Sequence, residues 1–313
     1  MTLANSAKWK LLRARLYLEH IRVRAFYLPA AIFLLITFLL VDSYQMYRYF
    51  DLWSDKPLAG GNAFTFCEAN HMNEAIRQPS NTWSNLAYLL VALFAFTVGV
   101  HDYKNKEHGN STNFLVRYPF FSIMYGLSCL YLFIGSFMYH ASLTAFYQKL
   151  DQTGLYSVIA MILVLNVYKI FPYINHRGEW RDSQGLAKAL IVILNILFFN
   201  WLWKFSINVF VPLLIVIIFI TSLYYIVRIS KTHYFSNYLY AAFFLLFAAG
   251  SIWVLDRQGV VCNPDSIFQG HALWHILTAV SIFFIYLYYR SGSLHFLPGE
   301  LEDDEEENHS LAS

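Results

Sequence analysis

The chain has 313 residues, of which 58% are hydrophobic, 19% aromatic and only 13% charged, and its mean hydropathy is +0.43. Soluble domains hold about 45–50% apolar and ~25% charged residues, so an ordinary globular protein is excluded, as are disorder and, with three cysteines, a disulfide scaffold. The net charge of +2 conceals seven acids in the last fourteen residues, and the bases are scattered between apolar runs, which leaves nucleic-acid binding without support.

A helix needs ~20 apolar residues to cross a bilayer. Eight stretches can be read as spans, over about 25–43, 82–101, 119–140, 148–169, 186–203, 207–227, 237–255 and 269–289. The fold class is therefore an all-α, polytopic transmembrane helix bundle. Lys8, Lys10, Arg13, Arg15, Arg22 and Arg24 precede the first stretch like the flank of a signal sequence. No small-x-small cleavage site follows Val41, so an uncleaved anchor is expected. The third stretch opens at Pro119, a tolerated first-turn position. A tight turn around Lys204–Ser206 separates the fifth from the sixth, and no internal repeat is evident.

With the N-terminus in the cytoplasm, 16 Lys and Arg fall in cytoplasmic segments and six on the other face, a bias that sets orientation. Both termini are then cytoplasmic. The sequons at Asn110 and Asn308 fall on that side, where they would not be glycosylated.

Ionisable side chains within spans are costly, ~2.5–3.5 kcal/mol for a charge at the bilayer centre, and usually serve a purpose. The third span closes with Ser136 and His140, four apart and on one helical face. The fourth opens with Asp151, and the eighth opens with His271 and His275, again four apart. Under the topology above, all five lie at similar depth beneath the outer surface. Three imidazoles at one depth suit zinc, which in catalytic sites takes three protein ligands and a water. Asp151 would carry the proton, and Ser136 would donate to the developing oxyanion. Each residue taken alone has a plainer reading: interfacial packing for the histidines, a charge favoured by a helix N-terminus for Asp151, and helix-packing glue for Ser136.

A second polar stretch precedes the second span, from Cys67-Glu68-Ala69-Asn70 to Gln78-Pro79-Ser80-Asn81-Thr82-Trp83-Ser84-Asn85. Its plain reading has Ser80 or Asn81 capping the helix and Glu68 solvated. Asp256 closes the seventh span on the outer face, either as a partner behind the ligands or as an interfacial charge. Cys67 and Cys262 also fall on that face, as a bridge in an oxidising compartment or as two free thiols, while Cys129 lies inside the third span.

Together these residues resemble the alkaline ceramidase family, part of a wider group of seven-span membrane hydrolases that includes the progestin and adipoQ receptors. The likeness rests on Cys67-Glu68-Ala69-Asn70 with Asn81-Thr82-Trp83-Ser84-Asn85, on Gly135 to His140 with Gln148-Lys149-Leu150-Asp151, and on Gly270 to His275. It covers about residues 64–290. The resemblance implies a zinc amidase that cleaves the N-acyl bond of ceramide to sphingoid base and fatty acid. His140, His271 and His275 would hold zinc, Asp151 and Ser136 would be catalytic, and Cys67 and Cys262 would form the family's bridge.

The chain departs from the family in three ways. Residues 1–63 add a basic N-terminus, one more transmembrane helix and an outer loop to the seven-span core of residues 64–290; the acidic residues 291–313 that follow are expected to be a disordered cytoplasmic tail. Thr65 and Gln78 stand where the family's calcium site has acids, leaving a weakened Ca2+ site of Glu68 and Asn70 with Glu74 as a substitute, although calcium prefers six to eight oxygens. Gln152 follows Asp151 where an acid is common. The expected protein is thus a lipid amidase with a Zn2+ cofactor and a membrane lipid as its partner, its oligomeric state open. A lipid ester hydrolase and a lipid-sensing receptor with structural zinc are the alternatives.

Overall fold

The computed structural model describes residues 16–18, 20–60, 66–105, 111, 113–174, 183–224, 236–260 and 262–292. Thr65, the asparagines of both sequons and the acidic tail lie outside the described residues. Within them the regular structure is helical, apart from one isolated bridge between Leu58 and Thr144. A 3-10 turn over Val23–Phe26 leads into α1 (Tyr27–Tyr47). There follow α2 (Pro79–Ser84), α3 (Leu86–Lys104), α4 (Phe114–Arg117), α5 (Pro119–Ser142), α6 (Ala145–Ile174), α7 (Ser183–Asn200), α8 (Ile207–Tyr224), α9 (Ser236–Arg257) and α10 (Gly270–Ser291). Pro79 and Pro119 open α2 and α5 from first-turn positions, where a missing N–H costs nothing. Leu143 ends α5 in the left-handed conformation, its N–H closing onto the Tyr139 carbonyl.

Seven helices among the described residues are long and apolar enough to cross a membrane: Val23–Tyr47, Pro79–Lys104, Pro119–Ser142, Ala145–Tyr168, Ile207–Tyr224, Ser236–Arg257 and Gly270–Ser291. The fifth apolar stretch, expected over 186–203, falls on α7, whose apolar part, Gly185–Asn200, is shorter. It stops there because the chain tightens into a 3-10 turn at Leu202–Lys204 before α8 begins. It nevertheless runs the length of the bundle. Lys188 lies 4.9 Å from the Phe120 ring at the start of α5, and the Phe199 ring lies 3.9 Å from Lys149 at the start of α6, the opposite end.

The closest packing joins α5 to α6, α3 to α5 and α9 to α10, so α5, α6 and α10 are the buried helices while α1, α8 and α9 turn mostly apolar faces outward. Lipid gives packed helices no hydrophobic gain over exposed ones, so the interior is pinned by polar contacts. The Asn166 amide of α6 donates to the Ile218 carbonyl and the Ser222 hydroxyl of α8, and the Tyr289 hydroxyl of α10 donates to Asn166 at 2.6 Å.

One end of the bundle is tied by Arg290, which is fully buried. Its guanidinium pairs with both oxygens of Asp102 and donates to the Leu16 and Tyr17 carbonyls at 2.8 and 2.7 Å. A buried cation is tolerated only when paired in this way. The pair joins the end of α10 to α3, and the two carbonyl bonds fix the segment ahead of α1 to it. At the other end, buried Arg77 donates to the Ser142 carbonyl at 2.7 Å and pairs with Asp51 at 3.1 Å, clamping the loops before α2 over the end of α5.

A candidate metal centre at one end of the bundle

The last turn of α5 and the first turn of α10 meet at the Arg77 end. One ligand nitrogen from each of His140, His271 and His275 lies within 4.8 Å of the others, and all three residues are buried. The Nε2 atoms of His140 and His271 are 3.1 Å apart. Among the described residues no other three His, Cys, Asp or Glu side chains converge in this way.

The hydrogen bonds behind two of these rings fix their tautomers. His140 Nδ1 lies 2.7 Å from Gln78 Oε1, a carbonyl oxygen that only accepts, so Nδ1 carries the proton and Nε2 is left as a lone pair. His275 Nδ1 lies 2.8 Å from the Ser84 hydroxyl. That hydroxyl gives its single proton to the Asn81 carbonyl at 2.9 Å and therefore accepts from His275, which again leaves Nε2 bare. Unprotonated Nε2 atoms brought together at one buried point could hold a metal ion, and outward hydrogen bonds of this kind orient ligating imidazoles. The donors and their geometry fit such an ion.

His271 is held from its backbone. Its N–H donates to Asp256 Oδ1 at 3.1 Å, while Asp256 Oδ2 accepts from the Cys67 N–H at 3.2 Å. Asp256, at the end of α9, thus caps α10, whose own leading residue Gln269 gives no side-chain cap. Gly270 permits this, because a Cβ there would lie 2.8 Å from Asp256 Oδ1. Cys67 and Cys262 form a disulfide at the same end, with Cα atoms 5.5 Å apart, and Cys129 is a buried free thiol. Next to Cys67, the Phe66 ring stacks on His271 with centroids 3.8 Å apart and shields that side of the centre.

Asp151 comes to the same end on α6, its carboxylate beside the Ser136 hydroxyl. The two helices approach this closely because position 135 is glycine: a Cβ there would fall 2.6 Å from the Leu150 carbonyl oxygen. Ser136, Asp151, His271 and His275 line one end of a cavity of about 1170 Å3, whose far part runs between α6, α8 and α9 along Leu155, Val211, Phe219 and Phe247. Polar groups therefore gather at one end of an apolar channel, a form suited to a lipid chain with its polar group at the metal end.

Residues 62–300, more than three quarters of the chain, match the family model described as Ceramidase. The chain belongs to the ceramidase family. Membership implies a hydrolase acting on amide bonds, with a lipid such as ceramide as substrate. A comparison with curated proteins finds no match. The multi-pass helical architecture, the bridge and the three histidines all agree with the family.

The expected calcium residues are placed differently from a cation cage. Glu68 is buried rather than solvated, and its carboxylate accepts the N–H groups of Ser80 at 2.6 Å and Asn81 at 2.9 Å. It is thus Glu68 that caps α2, rather than Ser80 or Asn81. Burial pushes the Glu68 carboxyl above its usual range, and those N–H groups pull against the rise. Asn70 Oδ1 accepts from the Gln78 amide at 2.6 Å, and Glu74 lies 3.7 Å from His71. With no three acidic groups converging here among the described residues, and the Asn70 oxygen taken by Gln78, this set falls short of the six to eight oxygens that calcium takes.

Sequence reasoning assigned no role to Gln78 or Ser84, although both stand in the polar stretch before the second span. The signal was the density of amides and hydroxyls there, more than one helix cap can use.

Proposed function

We propose that this ceramidase-family protein is a zinc-dependent intramembrane amidase that hydrolyses the N-acyl bond of ceramide-type sphingolipids to a sphingoid base and a free fatty acid. The observation that carries the reading is the convergence of His140, His271 and His275, two of them wired as Nδ1–H tautomers, beside Asp151 and Ser136 at the end of an apolar cavity. When bound by the three imidazoles, zinc supplies Lewis acidity that polarises a carbonyl and brings the pKa of a water to ~7.

The chain's own residues supply the rest. The apolar length of the cavity holds the acyl or sphingoid chain, leaving the amide at the polar end. Asp151 accepts the proton of the attacking water as the new C–O bond forms, then delivers it to the amide nitrogen as the C–N bond breaks. While Asp151 is ionised, the Ser136 proton is committed to it. Once Asp151 carries a proton, the hydroxyl is released to donate to the oxyanion. Phe66 keeps bulk water from the His271 face.

The disulfide end and the Lys/Arg bias both support an extracytoplasmic active site, with the termini at the cytoplasmic end. The test is a panel of ceramides and lipid esters presented to purified protein, before and after removal of metal by a chelator. Fatty acid and sphingoid base released from ceramide, abolished by chelation and restored by zinc, is the expected result. Release from esters alone would make the protein an esterase, and saturable lipid binding without product would make it a receptor.

A further inference from the structure

Gln78 is fully buried between the polar stretch ahead of α2 and the metal centre, and nearly every polar group it has is engaged. Its N–H donates to the His140 carbonyl at 3.1 Å, and its side-chain Oε1 accepts from His140 Nδ1 at 2.7 Å. The same Oε1 accepts from the Asn81 amide at 3.3 Å, while Nε2 donates to Asn70 Oδ1 at 2.6 Å. The Gln78 carbonyl accepts from the Thr82 hydroxyl at 2.7 Å. One residue therefore grips both the backbone and the ring of His140 and connects them to Asn70 and Asn81.

An amide is the side chain this place requires. The His140 side needs an acceptor and the Asn70 side needs a donor, and a glutamine presents one of each. A carboxylate could serve His140 and, with the Asn70 amide turned about, accept from it, but it would add a second negative charge beside Glu68, which also bonds Asn81, and a cation would offset that charge.

We propose that Gln78 is a positioning residue of the metal centre, fixing the His140 tautomer and joining it to Asn70 by hydrogen bonds alone, so that the centre is assembled without calcium. This rests on the reading of the three histidines as a zinc site, and its test is independent of substrate turnover.

The experiment uses the full-length protein, Gln78→Leu and Gln78→Glu, reading thermal melting in zinc-containing buffer with and without calcium, and zinc affinity by competition with a chromophoric chelator. The native protein should melt at the same temperature in both buffers. Gln78→Leu should bind zinc roughly 10–100-fold more weakly, the usual effect of losing a partner behind a ligand. Gln78→Glu, which keeps the acceptor, should stay near native zinc affinity when calcium is present, and its melting should become calcium-dependent. That rescue by an acceptor is something a space-filling role would not produce. A native protein stabilised by calcium, zinc affinity unchanged in Gln78→Leu, or a Gln78→Glu variant indifferent to calcium would each overturn the proposal. Should Gln78→Leu fail to fold, the calcium response of the other two proteins decides alone. A protein that binds zinc as expected but cleaves no ceramide would refute the proposed function and leave this inference standing.

Discussion

Replacing His271 and His275 together by alanine should abolish both zinc retention and fatty-acid release from ceramide, while the protein still inserts, forms its Cys67–Cys262 bridge and melts cooperatively. Two of three imidazoles then vanish from a buried point where no other His, Cys, Asp or Glu of the described residues converges with them. His140 alone cannot hold an ion that takes four ligands. The fold should survive because α10 is anchored elsewhere. Its start is capped by Asp256, its middle bonds Tyr125 through the Ile282 carbonyl, and its end carries the Arg290–Asp102 pair. Loss of a partner behind a ligand weakens metal binding by about 10–100-fold, and loss of two ligands must exceed that. Metal analysis of the purified variant checks this, and a full zinc complement would show that the ligands lie elsewhere.

Asp151→Asn should lower turnover by about 10²–10⁴, the usual contribution of a positioned acid–base group, with zinc content and substrate affinity nearly unchanged. Asparagine has the same shape and its carbonyl oxygen can still accept from Ser136, so the packing that Gly135 allows between α5 and α6 is preserved. What it lacks is a site for the proton. The loss should therefore fall on kcat rather than KM, because an interaction needed only in the transition state is removed. Undiminished turnover would take the proton-transfer role away from Asp151.

Much of this molecule was legible before its coordinates. Hydropathy alone located the long helices of the described residues, because a bilayer demands a continuous apolar run. The i, i+4 spacing of Ser136 with His140 and of His271 with His275 placed each pair on one face, and helix parity brought both faces to one end. The stretch expected over 186–203 became a shorter helix because its closing residues turn at Leu202–Lys204, a change of conformation that hydropathy does not register.

What the sequence did not disclose is the wiring that crosses long distances in the chain. Gln78 bonds His140 across 62 positions, Ser84 bonds His275 across 191, and Asp102 pairs with Arg290 across 188. Arg290 reads as one more basic residue in a flank. Only the packed bundle shows that it is buried and that it holds the segment ahead of α1. Glu68 likewise reads as a solvated acid or a cation ligand until two backbone N–H groups are seen pointing at it. Contacts of this kind depend on where helices come to rest, and no local periodicity encodes them.

X-ray absorption at the zinc edge on the purified, active protein addresses the central claim most directly. One zinc per chain, with three imidazole nitrogens at ~2.0–2.1 Å and one further oxygen, is the predicted coordination. Sulfur in the coordination shell, fewer than three imidazoles, or no zinc in protein that still hydrolyses ceramide would contradict it.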